Sequence, residues 1–253
     1  MRLTVIGCSG SMPGPDGPAS CYLVERDDTV ILLDLGSGAL GVLQQHVDLA
    51  RLDAVLLTHL HPDHCLDLCA LHVARRYGRM RGTDPLPVYG PRGTDARVAA
   101  AYDDIGDPAH DMSQEFDFRD LTTLHRLGAF SIRVAGMAHS VPTYAIRLDA
   151  GGASVVYSGD TGPNEALVDI SRGVDLLVAE AADVDRPDNV VNLHMSGRQA
   201  GTMARRAGVA HLMVTHVPPW HDRDVALAEA RAEFDGRVTL ASTGLVIDLE
   251  GGS

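Results

Sequence analysis

Thr58-His59-Leu60-His61-Pro62-Asp63-His64 is the stretch that decides the fold. Four metal-competent side chains fall within six residues of it. The run before it, from Asp53 to Thr58, is short, apolar and bounded by turn formers, and reads as a buried strand. The run after it, from Cys65 to about Arg76, reads as a helix. The cluster therefore sits on a loop leaving a strand end, where an α/β fold usually carries its chemistry. His59 and His61 are two apart and can point the same way in an extended loop, whereas Asp63 and His64 are adjacent and diverge. One loop can thus serve two metal ions, His59 and His61 on one, Asp63 and His64 on the other. The competing reading is a His-rich surface loop that binds nothing. Imidazole and carboxylate at this density suit a divalent metal better.

Further donors stand at the ends of other apolar runs. His139 lies in Met137-Ala-His-Ser-Val-Pro142, between strands expected at 129–137 and 143–149. Asp160 follows the strand at 154–158 in Gly159-Asp-Thr-Gly162, where its two oxygens can reach two cations. His211-Leu-Met-Val-Thr-His216 repeats the design of the first cluster, an apolar strand and then Thr-His. His194 precedes a helix that Ser196 caps and Gly208 stops, and a lone histidine there is either functional or a structural loop residue.

The signature H-x-H-x-D-H and these partners, spread over nearly the whole chain, resemble the metallo-β-lactamase superfamily of metallohydrolases. The resemblance implies a four-layer αββα sandwich with two mixed sheets, an α/β fold. It implies that His59, His61 and His139 hold one metal, that Asp63, His64 and His216 hold the other, and that Asp160 bridges them. It implies a bridging hydroxide as nucleophile, Asp63 also steering its proton, and His194 acting at the leaving group. Zinc or manganese suits such a donor set. The absence of a Cys ligand near Asp160 separates the chain from the antibiotic-hydrolysing members of the family.

The remaining pattern is consistent with one domain spanning 1–253. Strands are expected at 2–7, 20–26 and 29–34, the last two as a hairpin about Asp27-Asp28, and a helix at 39–48. Asp34 either orients a ligand from behind or caps a turn. Antiparallel strands are expected at 115–118, 122–126, 129–137 and 143–149. A helix at 222–234 and strands near 237–241 and 244–249 close the chain. The Gly/Pro/Ser loop 9–19 is either an anion-cradling nest or an ordinary turn, and loops 103–114 and 181–193 either cover a pocket or lie on the surface.

The 253 residues carry a net charge of −13, which disfavours a broad nucleic-acid surface. All 21 basic residues are arginine, so lysine Schiff-base chemistry is excluded. No apolar run reaches membrane-spanning length and no signal peptide precedes the first strand, so the expectation is a cytoplasmic protein. The four cysteines, Cys8, Cys21, Cys65 and Cys69, read as reduced, buried small hydrophobes, with a role near the metals as the alternative for Cys65.

Within the superfamily, the layout is similar to the ribonuclease Z-like and cyclic-nucleotide phosphodiesterase branch. Ribonuclease Z enzymes insert a tRNA-gripping arm between the third motif and the bridging Asp, and here His139 and Asp160 stand only 21 residues apart. The expected substrate is therefore a small phosphodiester, a 3′,5′-cyclic nucleotide such as cyclic AMP, with no stable nucleic-acid partner. The alternatives are tRNA 3′ processing, a lactonase, thioesterase or sulfatase reaction, and a non-catalytic metal-binding protein. Many relatives are dimers, which the resemblance carries over as a homodimer. Tyr144 and Trp220 are able to stack on a base, but packing in the core is the expectation for both.

Overall fold

The computed structural model describes residues 1–102, 111–186 and 193–250. Fourteen strands among them form two sheets of seven. The first is built from β1 (Arg2–Gly7), β2 (Cys21–Arg26), β3 (Thr29–Leu33), β4 (Ala54–Leu56), β5 (Leu86–Gly90) and β6 (Phe116–Asp120), with β14 (Val246–Asp248) at its far edge in the order β14-β1-β2-β3-β4-β5-β6. The second holds β7 (Arg126–Leu127), β8 (Phe130–Gly136), β9 (Tyr144–Ala150), β10 (Ala153–Tyr157), β11 (Leu176–Glu180), β12 (His211–Thr215) and β13 (Arg237–Leu240), in the order β13-β12-β11-β10-β9-β8-β7. Both sheets are mixed. Pairing is antiparallel from β14 to β3 and from β7 to β10, and parallel from β3 to β6 and from β10 to β13.

Seven helices cover the outer faces. They are α1 (Ala39–Leu43), α2 (Pro62–Cys65), α3 (Leu68–Tyr77) and α4 (Thr94–Tyr102) on the first sheet, and α5 (Glu165–Ile170), α6 (Gly197–Ala207) and α7 (Arg223–Glu233) on the second. Strand alternation sends one set of side chains inward and the other outward. Val5, Leu33, Leu56, Phe130, Leu148 and Val178 meet between the sheets, while Leu32, Val55, Leu68 and Leu71 pack under the first helix layer. Met203, Ala204, Val214 and Ala230 pack under the second. The result is the expected αββα sandwich.

Several local expectations need correction. The helix expected at 39–48 ends at Leu43, because Asp48 caps a separate 3₁₀ turn over Leu49–Arg51 by accepting the Ala50 N–H. The helix after the metal loop starts earlier, at Pro62, and is broken between Cys65 and Leu68. There the Asp67 carboxylate turns back to accept the Gly38 and Leu40 N–H groups at the start of α1. The strand at 115–118 is not antiparallel. As β6 it extends the first sheet in parallel with β5, pairing Phe116 with Leu86. Alternating side chains look the same in either direction, so periodicity alone misassigned it. Residues 121–123 form a 3₁₀ turn rather than a strand. Helix α5, begun by the Asn164 side chain accepting the Leu167 N–H, was not foreseen. Much of loops 103–114 and 181–193, with their two alternative readings, lies outside the described residues.

Candidate metal centre

Parallel strands place their C-terminal ends along one edge of a sheet, and both sheets do so at the same end of the sandwich. Asp34 follows β3, His59 to His64 follow β4, Asp160 follows β10, Glu180 ends β11 and His216 follows β12. His139 lies just before β9, which runs antiparallel to β10 and so begins at that same edge. The loops interlock closely. Gly159, at φ +57°, faces Thr58, where any side chain would collide. The Ala138 and Gly162 backbones pair, tying the His139 loop to the Asp160 loop.

All seven proposed ligands converge, in two groups. In the first, His59 Nε2 stands 3.1 Å from His61 Nδ1, which is 3.3 Å from His139 Nε2. In the second, His64 Nε2, His216 Nε2 and Asp63 Oδ2 lie 3.1 to 3.3 Å from one another. Asp160 faces both. Its Oδ2 lies 3.7 Å from His59 Nε2 and 4.0 Å from His139 Nε2, and its Oδ1 lies 3.1 Å from His64 Nε2 and 3.4 Å from His216 Nε2.

Hydrogen bonds behind the rings fix which nitrogen faces inward. Asp34, fully buried and at φ +59°, accepts from the Thr58 N–H at 2.7 Å, the Thr58 hydroxyl at 2.8 Å, the Tyr157 hydroxyl at 2.9 Å and His64 Nδ1 at 2.6 Å. Since the Thr58 proton goes to Asp34, its oxygen is left to accept from His59 Nδ1, 3.1 Å away. His139 Nδ1 donates to the Leu193 carbonyl at 2.9 Å. His59, His64 and His139 therefore each aim an Nε2 lone pair into the site.

Lone pairs that point at one another require a cation between them. Zinc binds imidazole at about 2.0–2.1 Å, so tetrahedral neighbours sit about 3.3 Å apart, which the spacings of 3.1 to 3.4 Å match, with Asp160 Oδ2 standing farther off at 3.7 and 4.0 Å. Asp160 Oδ1 is buried with no hydrogen-bond partner, as is His216 Nδ1. Burial, reinforced by the neighbouring His64, pushes His59 well below the usual imidazole pKa, which keeps the ring in its ligand form. Burial also opposes charge on His64, but Asp160 and Asp34 outweigh it and raise its pKa. A divalent ion at Nε2 answers the same pair of carboxylates. The residues present fit two divalent metals.

The chain from residue 29 to 217 matches the Beta-lactamase superfamily domain. It belongs to the metallo-β-lactamase superfamily. A protein of Mycobacterium leprae described as uncharacterized is 44% identical over 99% of this chain and 89% of its own. The probable metallo-hydrolase YhfI of Bacillus subtilis is 32% identical over 97% of this chain and 99% of its own. The crystal structure of YhfI superimposes with a TM-score of 0.85 over 97% and 98% of the two chains. A ribonuclease Z of Mycobacterium bovis is 32% identical over 96% of each. Like its superfamily, this protein is a metal-dependent hydrolase, and its sandwich is the metallo-β-lactamase fold.

His194 stands beside this centre, its ring 5.1 Å from that of His139 and 6.1 Å from that of His216. Its Nδ1 is 2.9 Å from Glu180 Oε1. Burial opposes a charge on His194, yet the Glu180 carboxylate prevails and lifts its pKa to about 9. Glu180 is itself fully buried and also accepts the Thr161, Ala182 and Met195 N–H groups. Sequence reasoning gave Glu180 no role. An acid ending a wholly apolar strand was the available signal, since such a group stays buried only with partners. Thr58 and Tyr157, which serve Asp34, carried no signal at all.

Other residues stand outside the two donor groups. Cys65 packs under the first helix layer, where burial pushes its thiol up to about 12. His72 and His211 are buried and His221 is half-buried, outside the candidate metal groups among the described residues. Loop 9–19 does approach the centre, through the Ser11 N–H 3.4 Å from His216 Nε2. Tyr144 packs against the inter-sheet core as expected. Trp220 does not, being 61% exposed. Pro218 and Pro219 precede it on a turn closed by the His221 N–H to the Pro218 carbonyl. No helix among the described residues is long and apolar enough to cross a membrane.

Proposed function

We propose that this chain is a two-metal phosphodiesterase whose substrate is a small phosphodiester, a 3′,5′-cyclic nucleotide such as cyclic AMP. The observation that carries the reading is Asp160, whose two oxygens face two separate donor groups. His59, His61 and His139 would hold one ion, Asp63, His64 and His216 the other, with Asp160 shared between the two groups. Five imidazoles and two carboxylates suit zinc, with manganese as the competitor. Two such ions, when bound, would supply an activated water at neutral pH and a clamp for the phosphoryl oxygens of an in-line displacement. Asp63 directs the proton of the attacking water. Glu180 holds His194 by its Nδ1 and so presents the ring as proton donor to the leaving oxygen. The ligands come from both halves, with Asp63 and His216 separated by 153 positions, so we read residues 1–253 as one catalytic domain.

The interval between His139 and Asp160 supports a small substrate. It contains β9, the Gly151-Gly152 turn and β10, with no arm. The likeness to a ribonuclease Z over 96% of both chains supports a second reading, cleavage of precursor tRNA. Turnover of the metal-loaded protein on cyclic AMP beside a precursor tRNA separates them, with Asp63→Ala as control. Hydrolysis of cyclic AMP that falls by orders of magnitude in the variant is the expected result. Cleavage of the tRNA alone would replace the first reading by the second, and inertness toward both would turn attention to carboxyl esters or thioesters.

A further inference from the structure

Trp220 is the only tryptophan in the chain and 61% of it is exposed. An indole buries more apolar area than any other side chain, so a solvent-facing one on a fixed turn needs a reason. It is held still. Pro218 and Pro219 precede it, the His221 N–H closes the turn on the Pro218 carbonyl at 2.9 Å, and the His221 ring meets the indole edge-on at 6.1 Å. Its backbone lies four residues past His216, hence within about 14 Å of that residue even if fully extended, and the turn shortens this.

A second exposed apolar side chain stands on the adjoining loop. Met12 is 49% exposed and follows Ser11, whose N–H approaches His216 Nε2. The two loops are joined. The Gly10 N–H donates to the Val217 carbonyl, Ser9 bridges to Val217, and Gly14 faces the Pro219 ring. Met12 and Trp220 thus stand exposed on two joined loops, both of which lead to the surroundings of His216.

We propose that Trp220 is the stacking platform for the base of a nucleotide substrate, with Met12 at its rim, and that this side of the centre selects nucleotides from other phosphodiesters. The proposal rests on the phosphodiesterase reading and deepens it. An indole face accepts any planar base, and a thioether is a good neighbour for an aromatic ring. Ions held at the centre would take the phosphate without regard to what it carries, which leaves discrimination to side chains around it. The arrangement predicts a preference for a base over no base, and a weak preference between bases.

The lone tryptophan makes the test direct. The metal-loaded protein is titrated with the slowly hydrolysed phosphorothioate of 3′,5′-cyclic AMP, and separately with a methylriboside 3′,5′-cyclic phosphate that lacks a base, while indole emission is followed. Saturable quenching by the first and none by the second is expected. In turnover, Trp220→Ala should raise KM for cyclic AMP about 10- to 100-fold with a much smaller effect on kcat, and Trp220→Phe should recover most of the loss. Recovery by Phe separates stacking from a folding defect. Hydrolysis of cyclic AMP with unmoved emission and an unmoved KM in Trp220→Ala overturns the platform and leaves the phosphodiesterase standing. Emission that shifts on dilution, with a dimer lost in Trp220→Ala and KM unchanged, assigns the indole to a second copy and also overturns it. A wild-type protein inert toward both cyclic esters removes the cyclic-nucleotide reading itself.

Discussion

Asp34 touches none of the convergent donor atoms directly, yet it sets two of the rings that carry them. It takes the Nδ1 proton of His64 and, through the Thr58 hydroxyl, fixes that of His59. Those rings belong to different donor groups, so one carboxylate orients a ligand of each. Asp34→Asn keeps the size but offers an amide where an acceptor is needed. It should weaken binding of both ions by about 10- to 100-fold, measured by competition with a chromophoric chelator. Unchanged affinity would mean the ring orientation is set by packing alone. Glu180 plays the equivalent part for His194. Glu180→Gln should lower kcat by about 100-fold at unchanged metal content, the scale expected of a misplaced proton donor. A variant with full kcat would remove His194 from the reaction. Neither acid was assigned its partners by sequence. Asp34 could equally have capped a turn, because the residues it serves are 24, 30 and 123 positions away.

At the scale of elements, the strand ends matter more than the helices. β12 shows how one strand does two jobs. Its last residues lead into His216, held at φ +57°, a conformation strained for a side chain and kept where function needs it. Its first residue, His211, is buried opposite Arg237 on β13 and bonded to the Thr239 hydroxyl at 2.8 Å. Burial and then Arg237 lower the His211 pKa to about 4. The unfolded chain binds this proton near pH 6.5, the folded one only near pH 4. Its contribution is therefore present at neutral pH and lost as pH falls through that window. Allowing for solvent screening, the loss is about 1–2 kcal/mol. His211→Gln should flatten the dependence of the urea midpoint on pH between 7 and 4.5, and an unchanged slope would disprove the assignment. Strongly periodic elements were legible: α6, with its capping box between Ser196 and Gln199 and its left-handed Gly208 stop, follows the expected span closely. The short pieces were not. A five-residue helix and a break at Asp67 are decided by where a distant N–H needs an acceptor.

For the whole molecule, the two sheets meet at the metal centre. The first supplies His59 to His64, the second Asp160, and the loops around the second supply His139 and His216. Ions held there cross-link the two halves, and binding to the folded chain alone stabilises it by about 4 kcal/mol at a thousandfold excess over Kd. Chelation should therefore abolish hydrolysis and lower Tm by several degrees, with zinc or manganese restoring both. Loss of activity at constant Tm would show that the halves hold together without the ions. By itself the sequence determined the family and the layered architecture, and it marked the donor residues that the fold brings together. Those reside in local patterns: H-x-H-x-D-H on one loop, apolar strands ending in Asp or His, and a repeat of Thr-His in each half. Only the tertiary structure decided that β6 runs parallel in the first sheet, that Asp34 and Glu180 bond the far sides of His64 and His194, and that Trp220 faces solvent. Each of these is a relation between residues far apart in the chain. Periodicity records which way a side chain points from its own backbone, and it carries no record of what the rest of the fold brings to meet it.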